Sequence, residues 1–216
     1  GKLLAEAETR LQEIIENRPK QGGFKDVNNL IKDAVTRLDE LFKSDADITG
    51  ISTGFSDLDN MTSGWQKSDL IIVAGRPSMG KTSFAMNMVE YATLNQDRPV
   101  LVFSLEMPAS QLITRMLSSM GKIDQTRMRT GSLQEDDWPR LSSAAQRLKD
   151  RPLFIDDSAG ITPFEMRSRI KQFTRERVEQ LRQQWHKEHG ADSQPDNDEL
   201  YKQAQPGMIM VDYLQL

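Results

Sequence analysis

The chain of 216 residues contains no cysteine and only two histidines. Without thiols there is no disulfide framework, no thiolate metal site and no cysteine nucleophile, and a reducing cytosol is the default compartment. Any apolar stretch approaching the roughly 20 residues of a membrane span is also missing, as are the basic region and apolar core of a signal peptide at the amino terminus. Charge of one sign is not in excess: 28 Lys and Arg face 32 Asp and Glu, a formal net charge of -4. That balance argues against a surface given over wholly to nucleic acid, yet it leaves room for local basic loops. Trp65, Trp138 and Trp185 stand without the aromatic cluster that base-stacking platforms use, and so are read as packing or surface residues. With 37% hydrophobic residues, the chain can build one α/β domain plus an appendage; two full domains would be tight.

What is present is a complete phosphate-binding loop. Gly75-Arg76-Pro77-Ser78-Met79-Gly80-Lys81-Thr82 follows the pattern G-x-x-x-x-G-K-[ST], and Ser83 continues it. Before it, Leu70-Ile71-Ile72-Val73-Ala74 is a continuous apolar run rich in β-branched residues, predicting a strand buried on both faces of a parallel sheet. After it, Phe84, Ala85, Met88, Val89 and Ala92 recur at helical spacing, so the loop opens into a helix. Loop N–H groups and the positive helix end then converge on the same phosphates, with Lys81 reaching the β- and γ-phosphates and Thr82 ligating Mg²⁺.

Along the chain, Leu3, Leu4, Ala7, Leu11, Ile14 and Ile15 mark a first helix, broken at residues 18–23. Val27, Leu30, Ile31, Ala34, Val35, Leu38, Leu41 and Phe42 form the apolar stripe of a second. That stripe either packs on its own domain or docks onto another subunit. Residues 43–49 read as a hinge. Beyond the P-loop helix, residues 99–106 predict a buried strand ending in Glu106, followed by a helix near 109–120, a helical connector at 136–149 and a third strand at 153–157. Thr162-Pro163-Phe164-Glu165 is a capping box with proline at the first helical position. The basic group Arg167 to Arg177 on that helix reads as a solvated face, and His186 and His189 as surface residues. Residues 177–205 read as a charged, glutamine-rich insertion with an exposed loop at 190–198. Residues 207–212 predict a last buried strand ending in Asp212. Strands alternating with helices mean an α/β fold with a mainly parallel central sheet.

An apolar strand ending in aspartate is the second half of a P-loop site, so Asp212 is the expected Mg²⁺ carboxylate opposite Thr82. Tyr213, not glutamate, follows it. The water-activating carboxylate must therefore come from elsewhere, and Glu106, at the strand end where ligands bind in open α/β sheets, is the candidate base. No Asn-Lys-x-Asp guanine-reading motif is found. The nucleotide read here is ATP.

Residues 75–82, Phe103-Ser-Leu-Glu-Met107 and Val211-Asp-Tyr-Leu-Gln-Leu216, in this order and spacing, resemble the bacterial replicative DNA helicases of the DnaB family. Thr53-Gly-Phe-Ser-Asp-Leu-Asp59, Gly64-Trp65, Asp124-Gln125-Thr126 and Arg129-Thr130-Gly131 add to the likeness. It covers about residues 24–175 and 207–216.

The resemblance implies a RecA-like P-loop ATPase preceded by a helical linker, working as a cytoplasmic homohexameric ring that encircles single-stranded DNA and translocates 5′ to 3′. Primase and a helicase loader are the implied partners. Residues 1–23 would be the end of an amino-terminal domain and 24–48 the linker, whose helix docks on the neighbouring motor. Residues 49–216 would be the motor, with its carboxyl-terminal part missing. Arg115 matches a family arginine that reaches the nucleotide. The family's DNA loops, arginine finger and γ-phosphate sensor lie beyond Leu216, so the chain by itself is expected to bind nucleotide, hydrolyse it poorly and not unwind DNA. A recombination ATPase of the RecA/RadA type, or a nucleotide-dependent scaffold or loader-interaction protein, is the alternative.

Overall fold

A computed structural model of the chain describes residues 26–43, 48–190 and 194–213. The helix expected near residues 3–15 and the ends of the hinge and final motif lie outside them. Helix α1 (Val27–Lys43) belongs to a unit of its own, separate from the rest. Its Val27, Leu30, Ile31, Val35, Leu38 and Phe42 are exposed, which is the apolar stripe read from the sequence.

The second unit is built on a three-stranded parallel sheet in the order β2-β1-β3, with β1 Val100–Ser104, β2 Leu153–Asp156 and β3 Met208–Asp212. Every residue of β1 is buried, as a continuous apolar run in a central parallel strand requires. Alternation sends Val100 and Val102 to one face. There they join Met86, Val89 and Ala92 of α3 (Lys81–Asn95), Leu112 and Met116 of α4 (Ala109–Gly121), and Met210 in a single core. On the other face Leu101 and Phe103 meet Ile170 and Phe173 of α7 (Pro163–His189) across one cleft, with Phe154 edge-on to Phe173 at 4.6 Å.

The sequence-predicted strand at Leu70–Ala74 is not formed. The segment is extended and exposed, with Leu70 at 87% and Ile72 at 79%. An apolar run reports a demand for burial; a parallel strand also needs a pairing edge and cover on both faces. Among the described residues no strand pairs with the outer edge of β3. The helix starting at Pro163 is as expected: Thr162 Oγ1 accepts from the Glu165 N–H and the Glu165 carboxylate accepts from Thr162. It runs much further than its apolar stripe suggests, however. Residues 177–189 continue α7, and α8 (Asn197–Ala204) packs back along it, so the expected insertion is a helical hairpin around a short loop. Arg98 closes the hairpin by donating to the carbonyls of Gln205 and Pro206, which returns the chain to the start of β3.

Arg169, within the basic group read as solvated, is committed to an ion pair with Asp156 at 2.5 Å. Two shorter helices went unread in the sequence: α2 (Ser56–Thr62) and α5 (Gln125–Thr130), the latter followed by α6 (Asp137–Leu148). Buried Asp137 ties these together, accepting from Arg127 and Arg140 at 2.8 Å each.

Asp59 organises the segment ahead of the P-loop. It is buried and accepts from the Ser52 hydroxyl at 2.5 Å and from the Thr53 N–H and hydroxyl at 2.8 Å each. Burial pushes its carboxyl up, but the hydrogen bonds from Ser52, Thr53 and the Gly54 backbone outweigh that and hold it below its ordinary value. Phe55, at the start of α2, stacks on Phe84 of α3 at 5.1 Å and so fixes this segment to the P-loop helix. Asp59→Ala would orphan the buried Thr53 donors and is expected to cost about 1–3 kcal/mol in denaturant unfolding. Because the folded carboxyl is the stronger acid, the stability it supplies is full above its unfolded value near ~3.9 and is lost as pH falls through the folded one. Acid titration of unfolding checks the sign, the variant losing part of the parent's decline.

Candidate nucleotide site

The P-loop folds as the sequence requires at its ends. Gly80 takes φ +82° as the cap of α3, a left-handed conformation that glycine adopts without strain. A Cβ on Gly75 would lie 3.4 Å from Lys81 Cγ, so the lysine stem lies over a glycine. No side chain caps α3, which leaves the N–H groups of its first turn open to an anionic ligand. Residues 75–80, Arg76, Pro77, Ser78 and Met79 among them, are exposed, while Lys81 and Thr82 are half-buried and Ser83 is exposed.

Register brings the other motifs to the same place. Ser104 pairs with Asp212, so β1 and β3 end at one level, and the Leu105 N–H donates to the Asp212 carbonyl at 2.7 Å. Glu106 follows immediately and is exposed to solvent. Lys81 Nζ stands 5.6 Å from the centroid of the Tyr213 ring, and Tyr213 directly follows Asp212. The amino end of α3 and the carboxyl ends of β1 and β3 thus form one cluster. Asp212 is only 6% exposed, and its Oδ2 has no hydrogen-bond partner among the described residues. A buried carboxylate oxygen left unpaired is costly unless something positive or donating meets it. Arg115, on α4 two turns from its amino end, is half-buried and makes no ion pair among the described residues. Nothing in its contacts ties it to the cluster.

Sequence reasoning missed Tyr213 as a neighbour of Lys81, although its adjacency to Asp212 was the available signal. His189 stacks on Trp185 at 3.9 Å within α7, apart from any metal cluster. Among the described residues no group of three or more His, Cys, Asp or Glu could hold a metal ion. That suits a magnesium site, in which one or two protein ligands are completed by phosphates and water.

A parallel sheet with a phosphate loop opening a helix at its carboxyl edge, and acidic residues at the ends of the adjoining strands, defines a RecA-like P-loop nucleotide-binding domain. The chain belongs to the family of DnaB-like helicase C terminal domains, whose profile matches residues 50–182. It is 48% identical over 177 residues to the replicative DNA helicase DnaB of Buchnera aphidicola subsp. Schizaphis graminum (strain Sg), covering 81% of this chain and 38% of that protein. It is 43% identical over 219 residues to replicative DNA helicase DnaB of Haemophilus influenzae, covering 99% of this chain and 41% of that one. The chain thus spans about two fifths of the length of the curated relatives it matches. Among solved structures, it is similar to an isolated ATPase domain, with TM-score 0.61 and 24% identity over 88% of this chain and 72% of that one. It is similar also to a DnaB-like replicative helicase described with its interactions with primase, with TM-score 0.63 and 24% identity over 96% and 52%. Both likenesses concern the fold.

Asp212→Asn removes a buried charge that lacks a partner, so the ligand-free protein is expected to resist denaturant better by about 1 kcal/mol. Chemical denaturation of the two proteins without nucleotide measures it, and a less stable variant would count against the burial argument.

Proposed function

We propose that this chain is the nucleotide-binding part of the motor of a replicative DNA helicase, an ATPase that translocates 5′ to 3′ on single-stranded DNA. The observation that carries the reading is the clustering of Lys81, Glu106 and Asp212 at one sheet edge in a chain of the DnaB-like family. Gly75 to Thr82 wraps the phosphates with backbone N–H groups, and Lys81 leaves the Tyr213 ring to contact the β- and γ-phosphates. Thr82 and Asp212 hold Mg²⁺, and the unpartnered Oδ2 of Asp212 fits that duty. The ion, when bound, neutralises charge developing on the phosphoryl oxygens. Glu106 takes a proton from water as the water oxygen bonds the γ-phosphorus and the bond to the bridging oxygen breaks, leaving ADP and phosphate. Ser83 and Arg115 complete the nucleotide-binding set.

The exposed apolar stripe of α1 supports docking onto the motor of a neighbouring copy, and head-to-tail contacts of this kind close into rings. We assign the boundaries 1–23, 24–48 and 49–216 to the end of an amino-terminal domain, the linker and the motor. A homohexamer on DNA, with primase and a loader as partners, is the assembly this reading implies. No helix among the described residues is long and apolar enough to cross a membrane, and the cytoplasm is the proposed location.

Lys81→Ala loses one or two charge-assisted hydrogen bonds and is expected to weaken ATP binding at least ~10-fold. Titration with a fluorescent ATP analogue measures it; unchanged affinity removes the P-loop assignment. Glu106→Gln in the full-length protein is expected to keep ATP binding and to lower DNA-stimulated turnover by about 10²-fold or more. Near-normal turnover moves the base elsewhere.

A further inference from the structure

The turn that carries Glu106 is held from both sides. It leaves the central strand β1 at Ser104, whose buried hydroxyl closes it by donating to the Met107 carbonyl at 2.6 Å and accepting from the Met107 N–H at 3.3 Å. On the β3 side the Leu105 N–H donates to the Asp212 carbonyl at 2.7 Å. On the β2 side the tether is a side chain: Asp157 Oδ2 accepts from the Ala109 N–H, the first of α4, at 2.9 Å. Phe103 pairs with Asp156, so Asp157 emerges from β2 at the level of Ser104. Asp156 itself is pinned by Arg169 of α7, which also donates to Ser158 at 2.8 Å. The strand end presenting Asp157 is therefore fixed independently of the Glu106 turn.

We propose that Asp157 is a positioning residue for Glu106. It rests on the reading of Glu106 as the water-activating base. Residues 105–108 are spanned between a backbone anchor at Asp212 and a carboxylate anchor at Asp157, with Glu106 between them. Glu106 makes no ion pair of its own among the described residues. Its aim is thus set by the turn that carries it. The carboxylate also meets the positive end of α4, where a negative group is favoured and where the first N–H otherwise lacks an intrahelical acceptor. Releasing that end frees the far side of the turn, and small displacements of a catalytic group carry large rate penalties. Asp157 touches neither water nor nucleotide in this account; it acts through Glu106.

The test compares Asp157→Ala, Asp157→Asn, Glu106→Gln and the double variant Glu106→Gln/Asp157→Ala in the full-length protein, reading ATP turnover and the affinity for Mg²⁺ with a non-hydrolysable ATP analogue. Asp157→Ala is expected to lower kcat about 5- to 10-fold with affinity within about 2-fold of the parent, which also certifies folding. Asp157→Asn, keeping an oxygen acceptor, is expected to restore kcat to within about 2-fold. In the Glu106→Gln background Asp157→Ala is expected to cost nothing further. An unchanged kcat in Asp157→Ala, a parallel loss of affinity, or a full additional loss in the double variant overturns the positioning role. If Glu106→Gln alone leaves turnover near normal, the base assignment fails, and Asp157 loses its role with it.

Discussion

The in-register parallel pairing of β1 with β3 is the constraint on which the site depends. Ser104 lies opposite Asp212, and the first N–H past β1 donates to the Asp212 carbonyl. Two carboxylates separated by more than a hundred residues in sequence are thereby delivered to one sheet edge. A shift of one residue would turn the alternating side chains of β3 to the opposite faces, taking Met210 out of the core and Asp212 away from Lys81. The core holds that register, because Val100, Val102 and Met210 share one face under α3 and α4.

The same strand ends carry charge that the interior does not neutralise. Asp156 is paired with Arg169, and Asp137 with two arginines, but Asp212 keeps an unpaired oxygen. The structural carboxylates Asp59, Asp137 and Asp156 have donors, and the one at the nucleotide site lacks a donor for one of its oxygens. That contrast marks Asp212 as a group whose partner is a ligand.

The elements around the site were readable where local chemistry decides the outcome. Periodicity placed α3 and α4, the capping box fixed the start of α7 at Pro163, and the glycines of the P-loop predicted its turn. Where tertiary context decides, the reading failed or fell silent. Leu70–Ala74 has the composition of a buried strand, yet pairing and cover come from elsewhere and the segment stays exposed. Residues 177–205 are polar because they form two helices packed mainly on each other, which composition alone presents as a loop-bearing insertion. Asp157 carried no signal, since an acidic residue after a strand is ordinary until the N–H it caps is known. Lys81 lying beside Tyr213 was likewise invisible, because a cation over a ring follows from where β3 ends beside α3.

The central claim is that residues 75–82 and Asp212 form one magnesium–nucleotide site. It is tested most directly by a crystal structure of the protein with Mg²⁺ and a non-hydrolysable ATP analogue. The account predicts phosphates enclosed by Gly75 to Thr82, the cation about 2.1 Å from the Thr82 hydroxyl oxygen, and Asp212 facing it directly or through one water. A triphosphate seated away from this loop, or a cation with Asp212 outside its first two coordination layers, would contradict it.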